Sequence, residues 1–551
     1  MTDKTGKYSM EKTQKEGWPP KLLFVIAAVF SMSIGMTYII GEINSPADLI
    51  TDFMNTTQIE RTGEPMTRSD VDSMFGLLAA ILGPGVIVGG ITISLIGDRI
   101  GKKPVILMTT VLGSAAVLIM GLSKPAKSTE MLYVGRFLGG FVLGFSVIGP
   151  SYVAELCQPH QRAVIGMINM ILQGFGFIIS QVLAYEELLG TKELWPYLLA
   201  FPAIVYTITG LFFATCPESP RYLLMNKKDE EGAAKALRWL RGKTDVTEDI
   251  KELYEEAEES KVAAQISVLD LFRTPLLRRP TLVMIVIGIH QNWSGTNGIL
   301  LFSNSMFRDA GFVGKEAKYA TSGIGLALLA GNIIAVFCLP RFGRKKVLIS
   351  ATAVMGVLCA VVALTLVFKD EVDALKYINV VVSLLIMTAF AAGPICIFWI
   401  LPNEIFPHSA RGPGFIVANT IAFTGFFIHA YVFPALLDLM GSYTFFLYTV
   451  LNALMIVFCV FLMPETMGKS FPEIAKSWSK TPPPEDLMEP THHQNKHDFE
   501  FEIPEPSEKN KEGGKLNLGY GESPKSSNIM YDNNKDSLPK NADTDRATTP
   551  F

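Results

Sequence analysis

The sequence predicts an all-α membrane protein: twelve transmembrane helices in two pseudo-symmetric six-helix bundles. Three observations carry this. The 551-residue chain is 49% hydrophobic and holds 35 Phe, too apolar for a soluble protein of its size. Apolar runs of about 18 residues or more, long enough to cross the hydrocarbon core as helices, lie near 21–41, 72–96, 104–122, 131–154, 163–186, 194–216, 279–308, 317–339, 346–368, 376–401, 412–437 and 441–463. Landmarks of the first half also recur in the second, in order. Gly101-Lys102-Lys103 returns as Gly343-Arg344-Lys345, Glu155 seven before Arg162 as Glu404 seven before Arg411, and Pro217-Glu218-Ser219 as Pro464-Glu465-Thr466, at offsets of 242, 249 and 247. Each landmark follows the corresponding span of its half, which implies two similar bundles around a central path.

Taken in order, residues 1–20 are polar and lysine-bearing and read as a cytosolic N-terminus. The first apolar run continues for a full span, so this is an uncleaved start and no signal peptide. Residues 21–216 form the first bundle. Asp98-Arg99-Ile100-Gly101-Lys102-Lys103, Arg162, the segment 221–279 and Arg341-Phe342-Gly343-Arg344-Lys345-Lys346 fall in alternate connections. The positive-inside rule puts those connections and both termini in the cytosol, in an integral protein of the plasma membrane. Residues 42–71 are then outside, and Asn55-Thr56-Thr57 there is an N-glycosylation acceptor. Asn292-Trp293-Ser294 has the same pattern but lies in a predicted span.

The linker, 217–278, changes character. Asp229 to Leu240 and Glu248 to Lys261 are charged with apolar residues at helical spacing, and Gly242 stops the first of these short cytosolic helices. Residues 279–463 form the second bundle. The tail, 464–551, is rich in Pro, Asn, Ser and charge from about 480 and is expected to be disordered. Its last residues, Thr549-Pro550-Phe551, fit a C-terminal carboxylate motif for a peptide-binding domain, although an unstructured end is the plainer account. Cysteines 157, 216, 338, 359, 396 and 459 show no metal or disulfide spacing. No nucleophile, cofactor loop or metal cluster stands out, so an enzyme is disfavoured. The formal net charge of −4 argues against a nucleic-acid partner.

The stretch His290 to Asn297 carries the chemistry. Gln291, Asn292 and Asn297 put three carboxamides within seven residues of an otherwise apolar span. An unpaired polar group in hydrocarbon costs several kcal/mol, so such amides face a wet cavity or a bundle interior. Carboxamides both donate and accept, which suits sugar hydroxyls, and Gly295 allows the helix to break where backbone lines a cavity. At the inner face, Glu155, Arg162, Glu404 and Arg411, with Asp98, Arg99, Arg341 and Arg344, read as a gate whose charges pair across the seam when the inner mouth closes. Topology and capping alone account for the basic residues but not for the paired Glu155 and Glu404.

In combination, Asn44-Ser45-Pro46, Gly135-Arg136-Phe137, Glu155 to Arg162, Pro217 to Arg221, Gln291 to Asn297, Gly343-Arg344-Lys345, Glu404 to Arg411 and Pro464-Glu465-Thr466 with Gly468 resemble the sugar porters of the major facilitator superfamily. Within them the match is to the facilitative glucose transporters of animals, over about residues 20–475. The resemblance implies the major facilitator fold and uniport of a hexose-like small molecule by alternating access. It also implies that Gln291, Asn297, Trp399 and Tyr38 stand where the family binds hexose, with Asn292 replacing a second Gln. Other positions depart: Met170, Leu328 and Ala391 replace a Gln, an Asn and a Glu, and Ala422-Phe423 an Asn-Trp pair. Gln173, Asn332 and Asn419 lie near these on the same helix faces, so they mark either a shifted polar site or helix-to-helix hydrogen bonds. Ile39 stands where proton-coupled relatives carry an Asp, which makes facilitated diffusion the default, and Glu42 reads as an outer-mouth residue. A transport-deficient sensor signalling through the tail is the competing account. A non-sugar substrate is another, with an anion disfavoured by the lack of a cation in the central segments.

Overall fold

The computed structural model describes residues 19–157, 159–262, 266–312, 315–369, 371–469 and 471–478. The N-terminal segment before residue 19, the tail beyond 478 and Thr549-Pro550-Phe551 lie outside the described residues. Among the described residues every regular element is helical. Nine helical stretches there are long and apolar enough to cross a bilayer. The last of these, Ser409–Leu462, holds two helices, His408–Met440 and Thr444–Leu462. The fifth span, Pro159–Leu183, has a shorter apolar core, and the seventh is split into Pro275–Trp293 and Thr296–Asp309 by its polar residues. The expected twelve spans are thereby accounted for.

Each half packs through small residues, as helices must where lipid gives no hydrophobic drive toward association. Gly85 and Gly89 of the second span meet Gly140 and Gly144 of the fourth, Glu130–Leu156. A Cβ on Gly85 would lie 2.2 Å from the Phe137 carbonyl oxygen, so larger residues would force the backbones apart. The halves touch where the fifth span lies against the eighth, Lys315–Phe342, and the second against the eleventh.

The expected cytosolic helices run Glu230–Arg241 and Thr247–Val262, and Gly242 closes the first with φ of 69°. The Lys21 ammonium sits 5.0 Å from the Trp239 ring centre, tying this helix to the first span, Pro20–Gly41. The sequence reading missed several short helices. Val268–Arg273 begins in a Ser267/Asp270 capping box, and Phe471–Trp478 buries Phe471, Ile474 and Ala475 under the second bundle. The segment expected to lie outside as a connection folds into Ala47–Thr62, which buries Ile50, Met54 and Thr57 and ends at Gly63 with φ of 82°. Asn55 lies on this helix, its side-chain oxygen accepting from the Met66 N–H at 2.9 Å.

Candidate functional site

The seventh span breaks at Gly295, whose φ is 94°. Glycine is required twice over, because a Cβ would lie 3.0 Å from Tyr448 and 3.3 Å from the Cys359 sulfur. The carbonyls freed by the break find partners on side chains. Thr296 donates to the Gln291 carbonyl at 3.1 Å, and Asn452 donates to that of Ser294 at 3.2 Å. Irregular backbone at membrane depth is stable only with such replacements.

The three amides divide their work. Asn292 is a strut: its nitrogen donates to the Ala422 carbonyl at 2.7 Å and to that of Gly288 at 2.9 Å, while its oxygen accepts from Asn297 at 2.8 Å. Both of its N–H groups are spent inside the bundle and its oxygen already accepts once, so in this state it braces the break and offers a solute no more than the second lone pair of that oxygen. Gln291 is half-buried, and its side-chain oxygen is buried with no hydrogen-bond partner in the protein. That is an acceptor held ready. Trp399 is half-buried on the tenth span with its ring centre 5.4 Å from that of Phe415.

Three further expectations fare differently. Tyr38 is buried, donates to the Leu198 carbonyl at 2.9 Å and stacks on Phe201, so it packs the first bundle. Asn332 donates to the Met170 carbonyl at 3.1 Å, a hydrogen bond between the eighth and fifth spans. Gln173 is half-buried with no side-chain hydrogen bond among the described residues. The side-chain oxygens of Asn169 and Asn419 are also buried without partners; Asn169, beside Met170 in an apolar span, carries no spacing signal that singles it out. Ala391 has a steric reason: a Cβ on Gly331 would lie 2.5 Å from the Ala391 methyl, so the eighth and tenth spans approach too closely for a longer side chain. His290 and His429 are hydrogen-bonded packing residues, to Asn452 at 3.0 Å and to Tyr448 at 2.8 Å. Glu42 is fully buried and ion-paired to Arg136 at 3.6 Å, not an outer-mouth residue.

At the end expected to face the cytosol the duplication extends to individual atoms. Gly101 and Gly343 have φ of 99° and 83° with ψ of 166° and 165°. Glu218 accepts from the N–H groups of Lys102 and Lys103, each at 3.1 Å, and Glu465 from those of Arg344 at 2.9 Å and Lys345 at 3.2 Å. A carboxylate at a helix N-terminus satisfies donors that the helix cannot. Glu155 takes the Lys102 ammonium and the Ser219 hydroxyl; Glu404 takes the Arg344 guanidinium and the Thr466 hydroxyl. These ion pairs stay within one half, so among the described residues Glu155 and Glu404 do not bridge the seam to each other's bundle. Lys102 was the partner the sequence did not suggest. Arg99 and Arg341 are exposed, Arg411 donates to the Phe406 carbonyl at 3.4 Å, and the side chains of Asp98 and Arg162 lie outside the described structure.

The end expected to face outward is closed by contacts between the halves. Asn44 donates to the Leu300 carbonyl at 2.9 Å and to the Ser303 hydroxyl at 2.8 Å. Asp48 pairs with Arg308, Lys315 with Glu187 at 2.6 Å, and Lys318 with Glu186 at 3.4 Å. The Lys315 ammonium holds the Glu187 carboxyl below its ordinary range, so this contact is complete above that range and is lost as pH falls beneath it. Charge reversal by Lys315→Glu is expected to favour the outward-open state. A Ser303→Cys reporter should then react faster with an impermeant thiol reagent; an unchanged rate would show that the ion pairs do not hold the outer end.

Comparison with known proteins agrees with this architecture. The pattern of the family described as "Sugar (and other) transporter" matches residues 23–478. Solute carrier family 2, facilitated glucose transporter member 1 of Gallus gallus is 32% identical over 456 residues, 83% of this chain and 93% of that protein. The inward-open xylose transporter XylE from E. coli superposes with a TM-score of 0.67 at 20% identity, over 83% of this chain and 99% of that one. The proton:xylose symporter XylE bound to 6-bromo-6-deoxy-D-glucose gives 0.63 at 21%, over the same shares. This chain is therefore an integral membrane protein of the major facilitator fold and belongs to the sugar transporter family.

Proposed function

We propose that the chain is a facilitative uniporter of a hexose or a similar small polyhydroxylated solute, working by alternating access. The observation that carries this is the broken seventh span with the Gln291 acceptor buried and unpartnered beside it. The similarity to a facilitated glucose transporter supports the same reading. Gln291, Asn297 and Trp399 would form the core of the site, with Gln173, Asn169 and Asn419 supplying amides displaced from the family's positions. In the cycle the outer contacts part, and the inner charges around Glu155 and Glu404 exchange their partners for ones across the seam. Basic residues on alternate connections support cytosolic termini, and we assign the protein to the plasma membrane. Uptake of labelled glucose, fructose and a polyol into transporter-null cells tests the proposal; no uptake of any of them by protein present at the surface would refute it.

One observation favours a second reading, proton-coupled transport: Glu42 is a fully buried carboxylate whose oxygens make no hydrogen bond and whose one ion pair among the described residues is to Arg136. Uptake that rises with an inward proton gradient and loses that dependence in Glu42→Gln would select it. The outside location of Ala47–Thr62 predicts that glycosidase treatment of cell-expressed protein lowers its apparent mass, and that Asn55→Gln abolishes the shift. A shift that survives the substitution would place the glycan elsewhere.

A further inference from the structure

Outside the transport path, an apolar groove of about 650 Å³ runs between the eighth, ninth and tenth spans. Ile334, Phe342, Val354 and Leu385 on its walls are exposed, so it opens on the bundle's lipid-facing side. Small residues create the space, among them Ser350, Ala389 and Ala392, the last within the π-helical turn Ala391–Ile395 of the tenth span. The two hydroxyls lining it are spent internally, Ser350 on the Val347 carbonyl at 3.1 Å and Thr388 on that of Leu384 at 2.9 Å. None of the lining residues carries a buried unpartnered polar atom. The groove therefore offers hydrocarbon contact and nothing for a sugar.

One charge breaks this uniformity. Lys346, exposed and in the first turn of the ninth span Arg344–Val367, lines one end. Arg341 is exposed close by, whereas Arg344 is engaged by Glu404. From Lys346 to Leu358 the helix rises about 18 Å, close to the roughly 15 Å depth of one leaflet's hydrocarbon. We propose that the groove holds one acyl chain of a phospholipid whose anionic headgroup lies on Lys346. The orientation proposed above makes this an inner-leaflet lipid, and lipid binding is measured separately from transport, so either reading can fail alone.

The test uses full-length protein in nanodiscs containing a diazirine-acyl phosphatidylserine or phosphatidylcholine, with labelled peptides mapped by mass spectrometry. The phosphatidylserine probe is expected to label the eighth to tenth spans about fivefold more than phosphatidylcholine, the effect of one surface lysine on an anionic lipid, and Lys346→Gln should erase the difference. Filling the groove by Ala389→Leu, or independently by Ser350→Leu on its exposed wall, should reduce labelling there by both probes, with Val357→Leu outside the groove as the unaffected control. Labelling spread evenly over all lipid-facing helices, or unmoved by both filling variants, would overturn the site. Equal labelling by the two lipids would overturn the headgroup assignment.

Discussion

Gln291→Ala is expected to lower initial-rate uptake at subsaturating solute by about 10- to 100-fold, because a hydrogen bond lost from a buried site costs roughly 1–3 kcal/mol. The surface level of the protein should hardly change, since the side-chain oxygen of Gln291 has no partner in the protein to lose. Asn292→Ala should do the reverse. It would leave the Ala422 and Gly288 carbonyls and the Asn297 amide without their partner, so the damage falls on folding and surface delivery. Uptake normalised to surface protein separates the two. If Gln291→Ala transports like the wild type, the solute does not bind at the seventh-span break.

Arg136→Ala carries the largest expected loss of stability, about 3–5 kcal/mol, the usual penalty for breaking a buried ion pair and stranding one partner. Arg136 is fully buried in the fourth span, donates to the carbonyls of Ile39 and Ile40 at the end of the first, and pairs with Glu42. Its removal abandons a carboxylate and two helix-terminal carbonyls together. Combining Arg136→Met with Glu42→Leu should recover part of the loss, because the stranded charge is gone. Thermal melting followed by size-exclusion chromatography measures both; a double variant no more stable than Arg136→Ala would mean that the carbonyl contacts dominate.

Much of this organisation was legible in the chain because the bilayer imposes it. A span must be long and apolar, so ends such as Gly41, Gly121 and Val367 fall within a residue of the bounds read from hydropathy. The duplicated landmarks were legible too, since Glu218 and Glu465 cap the helices that begin at Lys102 and Arg344 in the same way. Destinations of individual polar groups were not. Whether Asn332 meets a solute or the Met170 carbonyl depends on which helices touch, and sequence spacing fixes a helix face without naming its neighbour. Tyr38 failed for the same reason, its hydroxyl being taken by Leu198 from the sixth span. The helix Ala47–Thr62 was missed because only scattered residues of it are buried, among charged and hydroxyl-bearing neighbours.

The measurement closest to the central claim is flux through purified protein in proteoliposomes, with labelled hexose outside and no other energy source. A uniporter gives saturable entry that stops when the inside and outside concentrations are equal and is indifferent to an imposed pH gradient. Accumulation above the outside concentration, driven by an inward proton gradient, would contradict uniport and return the mechanism to Glu42. Absence of flux from folded protein would contradict transport of hexose itself.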